Sequence, residues 1–353
     1  MSKSRLGLLA LTLAVAVLGV VAVAQGRTAA GIYTVHPLVT DAGTTAPLLD
    51  PSLVNGWGLS AGPTTPWWTS NNGTNTSTLY SGTGVKAALT VTVAGAPTGT
   101  VFNGNAADFV VSQNGKSGAA RFLFATEGGT ILGWSPTVNA NTAVVGATTA
   151  GAIYKGLAIA NDRLYATDFH NGKVDVFDAA FKPVTLANGF KDSKVPKGFA
   201  PFGIQALGGN IFVTYAKQDA KAEDDVAVPG QAYVDEYTPD GALVASVVNS
   251  GKKNAPLNAP WGLAMAPANF GTLSNFLLVG NFGNGRISAY TQSGSKWVYK
   301  GQLRLADGTP IALDGLWAIA FGNGAAAGPT NSLYFLSGPS DEKHGLYGSI
   351  TAG

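Results

Sequence analysis

The chain has 353 residues, with 22 Lys and Arg against 20 Asp and Glu, and a formal net charge of +2. Charged residues make up only 12% of it, Gly reaches 47 and cysteine is absent. So weak and balanced a charge offers no electrostatic hold on DNA, RNA or anionic lipid, and without a thiol there can be no disulfide, thiolate nucleophile, zinc-thiolate site, iron–sulfur cluster or thioether-linked haem.

At the N-terminus, Lys3 and Arg5 precede an apolar run over residues 6–23, and Ala22-Val23-Ala24 forms a small-x-small site ahead of Gln25. This is the pattern of a secretory leader. It predicts cleavage after residue 24 and an exported chain, whether secreted, periplasmic or held at the cell surface. An uncleaved membrane anchor is the alternative, since the run approaches the roughly 20 residues of a span. Loss of Lys3 and Arg5 with the leader leaves basic and acidic residues equal in number. Residues 25–353 contain no Pro/Ser linker or charge block and read as one domain. Its first element is an extended segment, Ile32-Tyr33-Thr34-Val35-His36-Pro37-Leu38-Val39.

A short phrase then recurs: an aromatic or Lys, a small residue, an aliphatic, and usually Ala or Ser. It reads Trp57-Gly58-Leu59-Ser60, weakly Thr98-Gly99-Thr100-Val101, then Lys155-Gly156-Leu157-Ala158, Phe202-Gly203-Ile204-Gln205, Trp261-Gly262-Leu263-Ala264 and Trp317-Ala318-Ile319-Ala320. Self-similarity at a period of roughly 40 to 60 residues marks a repeat architecture. Each copy is followed, across a turn, by a β-branched and aromatic run: Trp67-Trp68-Thr69-Ser70, Phe122-Leu123-Phe124-Ala125-Thr126, Leu164-Tyr165-Ala166-Thr167, Ile211-Phe212-Val213-Thr214, Phe276-Leu277-Leu278-Val279 and Leu333-Tyr334-Phe335-Leu336. Third runs begin near Thr78, Thr130, Val174, Tyr233, Arg286 and Leu346. Six units of consecutive strands with no helical segment between them predict an all-β, six-bladed β-propeller. The sixth unit is one strand short of a four-stranded blade, and the segment from Ile32 to Val39 is the expected donor of its outer strand, closing the ring and covering exposed edges. Asn72-Gly73-Thr74 and Asn75-Thr76-Ser77 match glycosylation acceptors, a short pattern that Asn/Thr-rich chains also produce by chance.

Several strings carry a wider likeness: Asn55-Gly56-Trp57-Gly58-Leu59, Phe124-Ala125-Thr126-Glu127-Gly128-Gly129-Thr130-Ile131, Phe199-Ala200-Pro201-Phe202-Gly203-Ile204-Gln205, Tyr215-Ala216-Lys217-Gln218-Asp219-Ala220 and Asn281-Phe282-Gly283-Asn284-Gly285. From about Ile32 onward the chain resembles an exported propeller family of unknown function, distantly like six-bladed propellers of the NHL and gluconolactonase type. The resemblance implies an exported propeller and brings no catalytic residues with it. Some members carry a C-terminal sorting tail, which the final Thr351-Ala352-Gly353 does not resemble.

In a propeller, the loops entering the innermost strand and those joining the second and third strands share one face around the channel. That face is expected to hold Glu127, Asp168, Asp219, Glu223, Asp224, Asp225, Asp314, Asp341 and Glu342, together with His170, His344, Lys155, Lys217 and Asn281. Glu127, Asp168 and Asn281 follow the second strand in three units. They read either as turn-closing side chains or as oxygen ligands for one Ca²⁺ or similar divalent cation. His170 reads as a water-satisfied turn residue or as a general base. Lys155, Lys217, Asp219, Asp314, Asp341 and His344 form the expected ligand-binding set. The acidic stretch over residues 219–225 is the longest departure from the repeat, and insertions of this kind cluster on binding faces. Trp57, Trp261 and Trp317 lie in the phrase itself, which favours packing around the channel over sugar stacking.

No G-x-S-x-G elbow, P-loop, H-E-x-x-H or dinucleotide fingerprint occurs. Two function classes follow. The first is a monomeric exported module that binds a small molecule, polymer or protein at the channel mouth. The second is a metal-dependent hydrolase or lactonase, by analogy of fold with gluconolactonase-type enzymes.

Overall fold

The structure, a computed structural model, describes residues 32–250 and 256–353; the leader read over residues 1–24 lies outside them. Six antiparallel sheets stand around a central axis, as the repeat predicts. Blade 1 runs Gly56–Ser60, Trp67–Asn71, Thr76–Tyr80 and Lys86–Thr92. Blade 2 runs Pro97–Phe102, Phe122–Thr126, Thr130–Trp134 and Val144–Thr148, with a hairpin of Val110–Gln113 and Lys116–Ala119 inserted after its first strand. Blade 3 has three strands, Tyr154–Ala160, Arg163–Asp168 and Lys173–Phe177. Its fourth place holds only a bridge between Pro183 and Phe177, flanked by the Asp178 amide donating to the Lys182 carbonyl (2.9 Å) and the Val184 amide to that of Val176 (2.8 Å). Blade 4 runs Phe199–Leu207, Asn210–Gln218, Ala232–Tyr237 and Leu243–Ser250. Blade 5 runs Pro260–Met265, Leu277–Asn281, Ile287–Ser293 and Lys296–Gln302. Blade 6 runs Leu316–Phe321, Ser332–Ser337 and Leu346–Ala352.

The strand Tyr33–Thr40 lies on the outer edge of blade 6, antiparallel to its last strand, with Tyr33 opposite Ala352 and Thr40 opposite Leu346. A register shift falls between Pro37 and Val39, where the proline interrupts the ladder. Tyr33 is buried, donates its hydroxyl to the Phe270 carbonyl of blade 5 at 3.1 Å and accepts from the Leu273 amide at 3.3 Å.

The repeated phrase is explained by the centre. Each inner strand lies against the next around the ring, from Gly56–Ser60 through to Leu316–Phe321 and back again, and the phrase glycines are the points of contact. A Cβ on Gly156 would lie 2.9 Å from the Phe202 carbonyl oxygen, and one on Gly262 would lie 2.6 Å from that of Trp317. Cβ atoms on Gly58, Gly99 and Gly203 would collide with the backbone of Thr98, Leu157 and Trp261. Side chains reinforce the seam: Thr98 Oγ1 donates to the Tyr154 carbonyl (2.8 Å), Thr167 Oγ1 to that of Phe202 (2.7 Å) and Thr214 Oγ1 to that of Pro260 (2.6 Å).

Two tests follow from this packing. Deletion of residues 32–40 removes two fully buried side chains, Tyr33 and Val39, each contributing about 1.5–3 kcal/mol by burial, and is expected to lower Tm by at least about 5 °C; an unchanged melting curve would show that the ring holds without this strand. Gly203→Ala is expected to destabilise the fold by about 3 kcal/mol through overpacking against Trp261, whereas Ala318→Gly, at the sixth copy of the phrase, should cost no more than about 1 kcal/mol; equal effects in denaturant titrations would refute the contact argument.

Candidate functional site

In four of the six phrases the residue one place earlier is an aromatic that turns into the channel. Trp57 stacks on Trp317 with ring centroids 3.5 Å apart, and Phe282 stacks on the same indole at 4.0 Å. Trp261 and Phe202 meet this pair edge-on. The result is a buried aromatic plug across the ring, the packing role expected for the three tryptophans.

Blade 3 carries Lys155 where four of the other five blades carry an aromatic and blade 2 carries Thr98. Its carbonyl accepts the Trp261 indole N–H at 3.0 Å, its stem lies in the channel, and its ammonium sits 5.2 Å from the Trp57 ring centroid. Only 1% of the side chain is exposed. The ammonium pairs with Glu127 and, at 2.8 Å, with Asp224. Burial pulls its pKa down, but Glu127 and Asp224 outweigh that and hold it above the ordinary lysine value. It is therefore a fixed cation and not an amine nucleophile.

A chain of polar contacts runs from it around the mouth. Glu127 accepts from Asn72 Nδ2 (2.9 Å); Asn55 Nδ2 donates to Glu342 (2.6 Å), and Asn55 Oδ1 accepts the Trp317 indole N–H (3.0 Å). Asn55 has φ 49°, and Ser340, Asp341 and Glu342 form a left-handed run with φ of 60°, 53° and 63°. Such a backbone costs about 1–2 kcal/mol per non-glycine residue, and it turns Glu342 inward to its Asn55 partner. The turn is tied by the Ser340 amide, which donates to Asp314 Oδ2 at 2.9 Å.

The acidic insertion crosses the same mouth. Asp219 Oδ1 accepts from the Glu223 amide at 2.9 Å, closing a loop, and Asp225–Val226 then pairs with Lys217 and Gln218. That pairing sets Asp224 and Asp225 beside Lys155. Asp225 Oδ2 is buried and has no hydrogen-bond partner among the described residues. Its pKa is pushed up to about 7 by burial, with Glu342 and Asp224 raising it further and Lys155 opposing. Burial also raises Glu342, against the Asn55 hydrogen bond and Lys155. Outside the mouth, burial pushes Asp235 of blade 4 up to about 7, with Asp192 adding to the effect.

The expected site residues separate into three groups. Lys155 is central, with Glu127, Asp224, Asp225 and Glu342 around it. Of these, only Lys155 belonged to the expected ligand-binding set, and the two asparagines, Asn55 and Asn72, were missed. Asp219, Asp314 and His344 act as braces; His344 Nδ1 lies 3.0 Å from Asp41 Oδ2. Lys217 and Asp341 point to solvent. His170 is exposed on the rim, with Nδ1 3.2 Å from the Ala222 carbonyl of the insertion.

Of the trio read as possible metal ligands, Asp168 and Asn281 close turns of their own blades. Asp168 is fully buried and accepts from the Asn171 amide (3.2 Å) and Asn171 Nδ2 (2.8 Å), closing its own turn. Asn281 is also buried, accepting from the Asn258 amide at 2.8 Å and donating to the Arg286 carbonyl at 2.8 Å. Their oxygens are occupied within their own blades, so with Glu127 they make no set of free ligands. Among the described residues no group of three or more His, Asp or Glu is placed to hold a metal ion.

Beyond the plug, at the opposite end of the channel, the second halves of all six inner strands line a cavity of about 440 Å³. Leu59, Leu157, Ile204, Leu263 and Ile319 form its wall, and it contains no titratable side chain. This funnel escaped the sequence reading because its residues look like ordinary strand interiors.

No family model matches the chain. An uncharacterised protein of Acanthamoeba polyphaga mimivirus is 29% identical over 345 residues, covering 92% of this chain and 87% of the viral protein. Among solved structures, the soluble aldose sugar dehydrogenase of Escherichia coli aligns with a TM-score of 0.53 and 15% identity over 91% of this chain and all of its own. A streptogramin B lyase aligns with a TM-score of 0.52 and 10% identity over 92% of this chain and 98% of its own. At these identities the two structures share the fold alone. The chain is a six-bladed β-propeller, similar along nearly its whole length to an uncharacterised viral protein.

Proposed function

We propose that this protein is an exported binding module whose channel mouth takes a small organic cation, an amine or a guanidinium. The observation that supports this is the charge imbalance: among the described residues Glu127, Asp224, Asp225 and Glu342 surround Lys155 as the one cation, and Asp225 Oδ2 is left without a hydrogen bond. Burial holds Asp225 and Glu342 above their ordinary pKa, and repulsion from the neighbouring carboxylates adds to it. A second cation relieves that repulsion. Asp224, with 74% of its side chain exposed, keeps the mouth open to solvent, and the aromatic plug gives the site a rigid floor.

The linkage has a definite sign. Asp225 titrates near 7 in the fold and near 3.8 when free, so its contribution to stability is complete below about pH 4 and is lost as pH rises through 7. Asp225→Asn is therefore expected to raise Tm at pH 8 and leave it nearly unchanged at pH 4, with Asp235 continuing to titrate in both proteins. A bound cation lowers the Asp225 pKa and expels its proton. Calorimetry with agmatine and spermidine at pH 6.5, in two buffers of different ionisation enthalpy, should show saturable binding with release of up to about one proton, and Asp225→Asn should abolish the release and weaken binding at least tenfold. Absence of binding by either cation, or binding without proton release, would overturn this reading.

Export is part of the same proposal and rests on the leader pattern alone. N-terminal sequencing of protein recovered outside the cytoplasm should begin at or near Gln25; an intact Met1 in a membrane fraction would make it an anchored protein instead.

A further inference from the structure

Between blades 1 and 2 lies a second cavity of about 590 Å³, on the far side of Phe102 from the funnel. Its walls are aromatic and come from both blades. Trp68 stacks on Phe122 with centroids 4.1 Å apart and an interplanar angle of 14°, Trp134 leans on Trp68 at 4.6 Å, and Phe102 meets Phe122 at 5.3 Å. Pro63 and Pro66 form the facing lip.

The pocket is built rather than left over. Asn323 Nδ2 donates to the Gly62 and Thr65 carbonyls at 2.7 and 2.9 Å, pinning the lip to blade 6. A Cβ on Gly62 would lie 2.6 Å from the Phe102 ring, so the lip closes on that ring only because glycine stands there. The Trp134 indole is fixed by its N–H, which donates to the Ala140 carbonyl at 2.9 Å.

One charge enters this cavity. Arg121 is half-buried, and its guanidinium lies 5.1 Å from the centroid of the Phe102 ring. Among the described residues the guanidinium makes no hydrogen bond and has no carboxylate within ion-pair distance. Five N–H donors in a planar fork are therefore available beside stacked aromatic faces, a pairing suited to a carboxylate on a flat apolar body. The volume falls within the range of small-molecule pockets, which are mostly apolar with a few placed polar groups.

We propose that this inter-blade pocket binds a small aromatic carboxylate, with the ring held against Trp68 and Trp134 and the carboxylate on Arg121. The site is independent of the channel mouth and of opposite charge preference. Calorimetry of the full mature chain with 2-naphthoate should show one saturable site that weakens with added salt. Arg121→Gln is expected to reduce 2-naphthoate affinity at least tenfold while changing that for the neutral 2-naphthalenemethanol less than twofold, and Arg121→Lys should restore part of the loss. Trp134→Ala should weaken both probes, and Asp225→Asn neither. Lack of saturable 2-naphthoate binding, or an Arg121→Gln protein that melts normally and binds 2-naphthoate as tightly as before, would overturn the proposal.

Discussion

The closest constraint in this molecule is the distance between successive inner strands, where backbone meets backbone at the phrase glycines. It sets the bore of the ring. With five of six positions lacking a Cβ, the strands approach until the residue one place earlier has only the channel to occupy, and large aromatics at four of those places fill it with interlocking rings. Each such pair adds about 0.5–1.5 kcal/mol beyond the area it buries. The threonines of Thr167 and Thr214 then bridge blade to blade with hydroxyls that also accept from the phrase amides of Gly156 and Gly203, so the seam leaves few polar groups unsatisfied.

The plug divides the channel into two chemically unlike ends. One end is polar and charged because one repeat carries Lys155 in place of an aromatic or threonine, and the carboxylates of three different loops gather on it. The other end is a funnel in which no ionisable side chain lies among the described residues. The charged end also holds backbone conformations that other residues would avoid, at Asn55, Ala222 and Ser340 through Glu342. Conformations of this kind persist only where surrounding contacts over-determine them, and they concentrate at sites of function.

Much of the architecture was legible because the repeat is a local pattern: strand, turn and phrase recur in the same order, and the seam glycines appear in the phrase itself. Lys155 stood out as the charged member of a mostly aromatic position. The rest depended on facts that no local pattern carries. The fourth place of blade 3 is reduced to a bridge at Pro183; the hairpin after Pro97–Phe102 is an insertion with no repeat counterpart; and Asp168 and Asn281 share the repeat position of Glu127 yet fold back onto their own turns. Glu342 was expected on this face, but its turn inward to Asn55 depends on left-handed residues, which Ser, Asp and Glu do not announce in sequence as glycine would. The inter-blade pocket joins Trp68 to Trp134 across two units and belongs to neither.

The strand Tyr33–Thr40 has its hydrogen-bonding partner about 310 residues later in the chain, as in the pairing of His36 with Ser349. During synthesis, then, this strand is made long before the strand it pairs with. Five blades can assemble in order behind the ribosome, each on its predecessor, while blade 6 waits for Leu346–Ala352 to meet Tyr33–Thr40. Until then both carry unpaired edges, the most aggregation-prone surfaces a β protein presents. The long-range pairing delays completion of blade 6 until Leu346–Ala352 is available.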